Sequence, residues 1–102
     1  LIEQVLINLI LNAIDATKRV AQPKIYVNAT QNAKGRVQLK VLDNGSGIPE
    51  EIKESIFIPF FSTKKTGSGI GLSLSKQIMT LHKGKIQLKS EPGTGTEFTL
   101  QF

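Results

Sequence analysis

A carboxylate and two glycine-rich turns near the middle of the chain have the residue types and spacing of a site for a phosphorylated ligand. Asp43 opens the first turn, at residues 43–49, and the second turn lies at residues 67–72. A carboxylate accepts hydrogen bonds from the amino group of a purine, and glycines let bare backbone approach phosphates. The second turn leads into a segment with helical spacing, whose free N–H groups favour an anion. The pattern therefore predicts a nucleotide site.

The loop between the two turns, residues 56–68, shows no regular period. At one end it carries apolar residues that we expect to fix it to the core: Phe57, Pro59, Phe60 and Phe61. The other end, residues 62–66, is polar and basic. A loop of this length without structure of its own is typical of a lid over a site.

The first 20 residues predict a helix that forms one wall of this site. They contain no Gly or Pro, and apolar residues recur at helical spacing. A polar stripe about 80° wide runs along the helix and consists of Gln4, Asn8, Asn12, Asp15 and Arg19. Because most of the remaining circumference is apolar, Ile7, Leu11 and Ile14 included, we expect a buried helix whose amides bind partners or a ligand. The alternative is that the stripe is the solvated side of a surface helix.

The other segments predict a sheet that positions these groups. Alternating or β-branched residues predict four strands, at 25–30, 36–42, 85–90 and 97–102. Asp43 follows the second strand. Helices are predicted at residues 49–55 and at residues 69–82, the latter ending in a basic turn and a glycine cap at Gly84. This order favours an α/β (α+β) two-layer sandwich, with helices on one face of a mixed, mostly antiparallel sheet.

Composition narrows the classes of protein to which the chain can belong. Its 102 residues allow one domain with one modest core, and the absence of Cys excludes disulfides and Cys-based metal sites. No apolar run approaches the roughly 20 residues that span a bilayer, so we expect a cytoplasmic domain, whether or not its parent is membrane-anchored. The sequence opens on Leu1-Ile2 without a starting Met, which predicts a fragment of a longer protein. The lysines behind the net charge of +5 are mostly scattered, which argues against nucleic-acid binding, and a local excess of positive charge suits a polyphosphate ligand equally well.

Five motifs resemble, in order and spacing, the N, G1, F, G2 and G3 boxes of the catalytic ATP-binding domain of two-component sensor histidine kinases. They are Asn8-Leu9-x-x-Asn12-Ala13-x-Asp15-Ala16, Asp43-x-Gly45-x-Gly47-Ile48, Phe57-x-Pro59-Phe60-Phe61-Ser62-Thr63-Lys64, Gly67-Ser68-Gly69-Ile70-Gly71-Leu72 and Gly93-Thr94-Gly95-Thr96-x-Phe98. The same Bergerat-fold superfamily contains DNA gyrase B, Hsp90 and MutL. The resemblance covers essentially the whole chain and implies ATP held between the first helix and a glycine-rich lid.

The resemblance also implies roles for individual residues. Asn12 would coordinate Mg²⁺ through its side-chain oxygen, and Asp43 would accept from the adenine amino group with the Thr96 hydroxyl nearby through water. Lys64 or Lys65 would neutralise charge on the γ-phosphate. The residues expected in catalysis are Asn8, Asn12 and Lys64. Those expected to bind ATP or ADP are Asn8, Asn12, Asp15, Ala16, Asp43, Gly45, Gly47, Ile48, Phe60, Lys64, Lys65, Thr66, Gly67, Ser68, Gly69, Ile70, Gly71, Leu72 and Thr96.

Asn8 bears on the type of reaction. Gyrase-like hydrolases have, four residues before the metal-binding Asn, a Glu that activates water. An amide cannot act as a general base at neutral pH, so the resemblance implies phosphoryl transfer to another nucleophile. The only histidine, His82, lies near the end of the second predicted helix, and we expect it to have a structural or capping role.

The expected partners follow from the missing phosphoacceptor. The accepting histidine is expected on an upstream dimerisation domain of the same protein, which would be a homodimer and would act indirectly on a response regulator receiver domain. Nucleic acid is not an expected partner. Two alternatives remain at this stage: a same-fold anti-sigma-factor serine kinase or clamp ATPase, and a non-catalytic nucleotide-binding module.

Overall fold

A computed structural model of the chain describes residues 1–59 and 71–102. The described elements are α1 (Ile2–Ala16), β1 (Ile25–Gln31), β2 (Val37–Asp43), a 3₁₀ helix (Glu50–Ile52), α2 (Gly71–Leu81), β3 (Lys85–Glu91) and β4 (Gly95–Gln101). Both α-helices pack on a single four-stranded sheet, so the predicted α/β sandwich is confirmed. In these described residues, neither helix has the length and apolar character needed to cross a bilayer.

The strands lie in the order β1-β2-β4-β3, and each neighbouring pair is antiparallel. Residues directly opposite each other in such pairs have their side chains on the same face. The register therefore forms two apolar rows on the helix side of the sheet, Val27-Val41-Phe98-Leu88 and Ala29-Leu39-Leu100-Ile86. The next row along this face, Ile25-Asp43-Thr96-Ser90, turns polar, and it is at this end of the core that the candidate site begins.

The core lies between the sheet and the inner faces of the two helices. Its buried members recur at helical spacing in α1 and at alternate positions in the strands, as burial of one face requires. They are Val5, Leu9, Ala13, Val41, Ile56, Ile78, Met79, Phe98 and Leu100. Helix α1 packs mainly against α2 and also over β2, while α2 lies beside β3.

Helix α1 differs from the sequence expectation in its length and its burial. It ends at Ala16 rather than near residue 20, and the Thr17 hydroxyl donates to the Ala13 carbonyl at 2.9 Å. The expectation that apolar residues are buried around most of the helix was wrong. Ile7, Leu11 and Ile14 are 49%, 57% and 47% exposed, because the sheet and α2 contact only part of its circumference. Of the polar stripe, Asn8, Asn12 and Asp15 are half-buried, as predicted, whereas Gln4 and Arg19 are exposed.

The carboxyl end of α2 also differs from expectation. The left-handed residue after the helix is Lys83, with φ 59°, and not Gly84. Gly84 N–H donates to the Met79 carbonyl at 2.8 Å and Lys83 N–H to Thr80 at 3.0 Å, which is the Schellman pattern with lysine in the position where glycine is usual. Gly84 serves another purpose, since a Cβ there would lie 2.5 Å from the Gln101 carbonyl oxygen.

The segment after the first glycine turn is fixed to the core by Phe57. Its ring meets Phe98 edge-on, with centroids 6.5 Å apart, and the Lys76 ammonium lies 5.5 Å from the Phe57 centroid. Pro59 is exposed, so the expectation that it joins the core was wrong. Phe60 and Phe61 lie outside the described residues, as does the rest of the predicted lid up to Ile70.

Candidate functional site

The first glycine turn packs directly on the C-terminal end of α1. A Cβ on Gly45 would lie 2.5 Å from the Ala16 carbonyl oxygen, and the same oxygen accepts from Ser46 N–H at 3.3 Å. Asn12 lies one helical turn before Ala16, and Asp43 lies two residues before Gly45. The close contact of Ala16 with Gly45 therefore brings the amide-bearing part of α1 next to the carboxylate at the end of β2, two groups that the sequence predicts to share one site.

Asp43 is held by backbone donors on both sides. Gly45 N–H donates to its carboxylate at 2.8 Å, and the backbone of Thr96, the residue opposite on β4, donates as well. Partial burial raises the pKa of the Asp43 carboxyl above its ordinary value, although these two hydrogen bonds act in the opposite direction. A carboxylate fixed in this way and partly desolvated favours a ligand that donates hydrogen bonds to it.

The other part of the turn is bound to the β3–β4 hairpin. Ile48 N–H donates to Ser90 Oγ at 2.7 Å, and Gly93 N–H donates to the Ser46 carbonyl at 2.7 Å. Gly47 has φ 77°, and a Cβ there would overlap the carbonyl of Glu91. This glycine is thus required by contact within the protein. Its predicted closeness to a base stays a prediction.

A second cluster joins α1 to the start of α2. Asn8 Nδ2 lies 3.2 Å from the Gly71 carbonyl and 3.3 Å from Ser75 Oγ, while Asn8 Oδ1 accepts from Gln4 Nε2 at 3.1 Å. Ser75 is fully buried, and its hydroxyl donates to the same Gly71 carbonyl at 2.8 Å. Asn8 therefore bonds the residue at which α2 begins, the end of the helix predicted to face phosphates.

The metal expectation rests on Asn12. In the described part of the chain, no three His, Cys, Asp or Glu side chains lie close enough to hold a metal ion among themselves. Asp15, the acid nearest to Asn12 in the sequence, forms an ion pair with Lys18 at 3.0 Å. A half-buried neutral amide suits Mg²⁺ when phosphates and water supply the other ligands. The donor set fits a cation that arrives with a nucleotide.

Several predicted residues are placed together and others are not described. The predicted residues that the structure places together lie along one path from α2 across α1 to the end of the sheet. They are Asn8, Asn12, Ala16, Asp43, Gly45, Ile48, Gly71 and Thr96. Leu72 is partly buried against the core. The predictions for Phe60, Lys64, Lys65, Thr66, Gly67, Ser68, Gly69 and Ile70 fall outside the described residues. His82 is exposed, with its ring Nδ1 3.0 Å from the Ile78 carbonyl.

Sequence reasoning missed two buried serines, Ser75 and Ser90. Each bonds a predicted site residue, yet no motif of the family resemblance contains either of them. The available signal was weak: a serine at an inward position of an amphipathic helix or strand, where an apolar residue is expected.

Known proteins resemble this chain over essentially its whole length. The family model described as histidine kinase-, DNA gyrase B- and HSP90-like ATPase matches residues 1–102. The signal transduction histidine-protein kinase AtoS of Escherichia coli K12 is 41% identical over 100 residues, which cover 98% of this chain and 16% of AtoS. The sensor histidine kinase ZraS of Salmonella typhimurium LT2 is 44% identical over 97 residues, 95% of this chain and 20% of ZraS.

Solved structures of histidine kinases also resemble this chain. The nucleotide-free catalytic domain of histidine kinase ThkA superposes with a TM-score of 0.83 at 40% identity, covering 99% of this chain and 64% of that one. Full-length ShkA in complex with AMPPNP superposes with a TM-score of 0.85 at 27% identity, covering 98% of this chain and 20% of ShkA. The chain thus spans about a fifth or less of the sensor kinases AtoS and ZraS.

Proposed function

Because this chain belongs to the family of histidine kinase-, DNA gyrase B- and HSP90-like ATPases, we propose that it is the ATP-binding catalytic domain of a sensor histidine kinase. In this proposal it binds Mg-ATP and donates the γ-phosphoryl group to a histidine on an adjacent dimerisation domain of the same protein. The observation that carries the proposal is the Asp43 carboxylate, which backbone donors hold beside the polar stripe of α1.

Base recognition is assigned to the sheet end of the site. The Asp43 carboxylate accepts from the adenine amino group, and Thr96 lies opposite it on β4. The N–H groups of Gly45 and Thr96 fix the carboxylate before the ligand arrives. Binding then loses little conformational entropy at this side chain.

Phosphate positioning is assigned to the start of α2 and its contact with Asn8. Asn8 acts through its N–H₂ group, which donates to the Gly71 carbonyl at 3.2 Å. A glutamate here, as in the hydrolases, would place a carboxylate against that carbonyl. The amide therefore favours a site that holds ATP without a general base for water, and phosphoryl transfer then depends on positioning and on electrostatic stabilisation.

Mg²⁺ is assigned to the Asn12 side-chain oxygen. When bound, the ion would neutralise charge on the phosphate oxygens as the phosphoryl group leaves. Asn12 itself has the narrower task of orienting the ion relative to the rest of α1. Its truncation should therefore weaken phosphoryl transfer more than it weakens ADP binding.

The partners are inferred from the chemistry that the described residues lack. His82 is bonded to the last turn of α2 through Ile78 and is not the proposed acceptor. We assign the accepting histidine to an upstream dimerisation domain in a homodimeric, cytoplasmic kinase region, and the onward acceptor to a response regulator receiver domain.

Titration calorimetry of the chain with Mg-ADP tests the proposal. Asp43→Asn should weaken binding by about tenfold or more, since a charged hydrogen bond to the base is lost. Glu91→Gln removes one negative charge from an exposed position beside the same turn and should leave binding unchanged. Wild-type affinity in Asp43→Asn, or no binding by the wild-type chain at millimolar Mg-ADP, would rule the proposal out.

A further inference from the structure

Ser90 is a buried serine on β3, opposite Thr96 in the polar row of the sheet. Both residues are 7% exposed. Three groups lie within hydrogen-bond distance of Ser90 Oγ: the Ile48 N–H at 2.7 Å, the Gly95 carbonyl at 2.9 Å and Thr96 Oγ1 at 3.0 Å. One hydroxyl oxygen therefore connects the first glycine turn, the start of β4 and a residue proposed to line the base site.

The number of protons available fixes the direction of each of these bonds. A serine hydroxyl has one proton to donate and two lone pairs to accept. The Gly95 carbonyl has no proton, so the contact with it uses the Ser90 proton. The Ile48 N–H has only a proton to offer and occupies one lone pair. The Ser90–Thr96 contact is then a hydrogen bond in which Thr96 is the donor.

The consequence lies at Thr96. Once its only proton points at Ser90, Thr96 Oγ1 can offer nothing but lone pairs to a ligand. The Asp43 carboxylate, on the neighbouring strand, is also an acceptor. We infer that Ser90 is a specificity-determining positioning residue, because it orients the Thr96 hydroxyl so that the base site presents only acceptors. This inference rests on the proposed nucleotide site.

A site that presents only acceptors selects a purine by the group at its C6 position. A 6-amino purine donates two protons there, whereas a 6-oxo purine places an oxygen against the Asp43 carboxylate and leaves polar groups of the site unpaired. In this inference Thr96 contacts the C6 group directly, and not through the water that the resemblance implies, so that without Ser90 its hydroxyl is free to rotate and donate to that oxygen. Ser90 itself contacts no base in this arrangement. It acts through Thr96, and through the backbone of Ile48.

The test compares Mg-ADP with Mg-IDP by calorimetry on the chain; the two bases differ at C6, amino against oxo, and in the hydrogen that the oxo base carries on N1. Wild type should prefer ADP by at least about tenfold. Ser90→Ala should narrow the ADP-to-IDP affinity ratio by about three- to tenfold, which is the usual value of one neutral hydrogen bond. Ser90→Thr keeps the hydroxyl and should retain most of the wild-type ratio.

Ser75→Ala is the matched control, because it also removes a buried serine hydroxyl, but from the α1–α2 contact rather than from the sheet. It should leave the ratio unchanged, whatever it does to the two affinities. Thermal unfolding of each variant shows whether it is folded. If Ser90→Ala does not fold, the ADP-to-IDP affinity ratio of Ser90→Thr decides, because loss of the wild-type ratio in that variant contradicts the inference.

The outcomes separate this inference from the proposed function. A wild-type ratio in folded Ser90→Ala would overturn the role of Ser90 while nucleotide binding stands. Equal affinity of wild type for ADP and IDP would overturn it as well. Absence of binding to either nucleotide by folded wild type would remove the proposed function itself and this inference with it.

Discussion

The two ends of the candidate site are built in different ways. At the base end, residues of three adjacent strands and one glycine turn are joined by short hydrogen bonds, most of which involve the backbone, as at Asp43 and Ile48. At the phosphate end, two helices are joined through side chains, and the Asn8 contacts are 3.2 and 3.3 Å long. The base end is thus fixed by the sheet itself, whereas the phosphate end depends on one amide and one buried hydroxyl.

This difference predicts how each end responds to substitution. A change at the base end that displaces backbone should act on the whole fold. A change at the phosphate end should act on the contact between α1 and α2. The predictions below test this contrast, beginning with the largest expected effect.

Gly47→Ala should lower the free energy of unfolding by about 3 kcal/mol or more, because it adds a side chain at positive φ and against the Glu91 carbonyl. Gly93→Ala is the control. Gly93 has φ 80° but no atom within 4 Å of its missing Cβ, so the cost should be only the roughly 1–2 kcal/mol of the left-handed conformation. Urea unfolding measures both. Equal losses would show that the turn is not tightly packed on the hairpin.

Asn8→Asp should destabilise the chain by about 2 kcal/mol, because an acceptor replaces the donor that faces the Gly71 carbonyl and Ser75. Asn28→Asp makes the same chemical change at an exposed position of β1 and should cost at most about 0.5 kcal/mol. Urea unfolding again measures the difference. If the two variants are equally stable, the Asn8 amide does not hold the helices together.

In the folded chain without nucleotide, the pKa of the Asp43 carboxyl should lie above its ordinary value, and carbon-13 NMR of its carboxyl carbon measures this. Because its pKa is raised in the folded state, its contribution to the free energy of unfolding is complete below the ordinary pKa and is lost as pH rises through the raised value. The amino group of bound ADP favours the charged form of the Asp43 carboxyl, so ADP should lower the pKa of Asp43. The affinity for ADP should therefore increase as the pH rises through the same window. Titration at or below the ordinary value would contradict the proposed desolvation.

Lys83→Gly should stabilise the chain by about 1 kcal/mol, because glycine adopts the left-handed conformation of this position without a Cβ clash. The residue lies outside both ends of the site, so nucleotide affinity should not change. Lys85→Gly is the control, because it makes the same substitution at the start of the exposed edge strand β3. It should destabilise the chain, since glycine weakens a strand. Thermal unfolding distinguishes the two. A loss of stability in Lys83→Gly would mean that the lysine side chain contributes more than its backbone costs.

Much of the fold followed from local patterns. The helical spacing of apolar residues such as Val5, Leu9 and Ala13 indicated a helix in the first part of the chain, and the alternation in residues 36–42 indicated the strand that ends at Asp43. The boundaries did not follow from these patterns, because they depend on particular caps such as the Thr17 hydroxyl on Ala13. Exposure of Ile7 and Leu11 was missed for a related reason: periodicity shows which residues are apolar but not how far neighbouring elements reach around a helix.

The amino-acid sequence by itself determined the two amides of α1 at helical spacing, the acid at the end of β2 and the positions of the glycine-rich turns, since all of these depend on residues close together in the chain. Only the tertiary structure decided that Asn8 bonds Gly71, 63 positions away, and that Ser90 lies opposite Thr96. Those contacts depend on how helices pack and how strands align. Packing and alignment are settled by the burial of the whole core, which no single segment specifies.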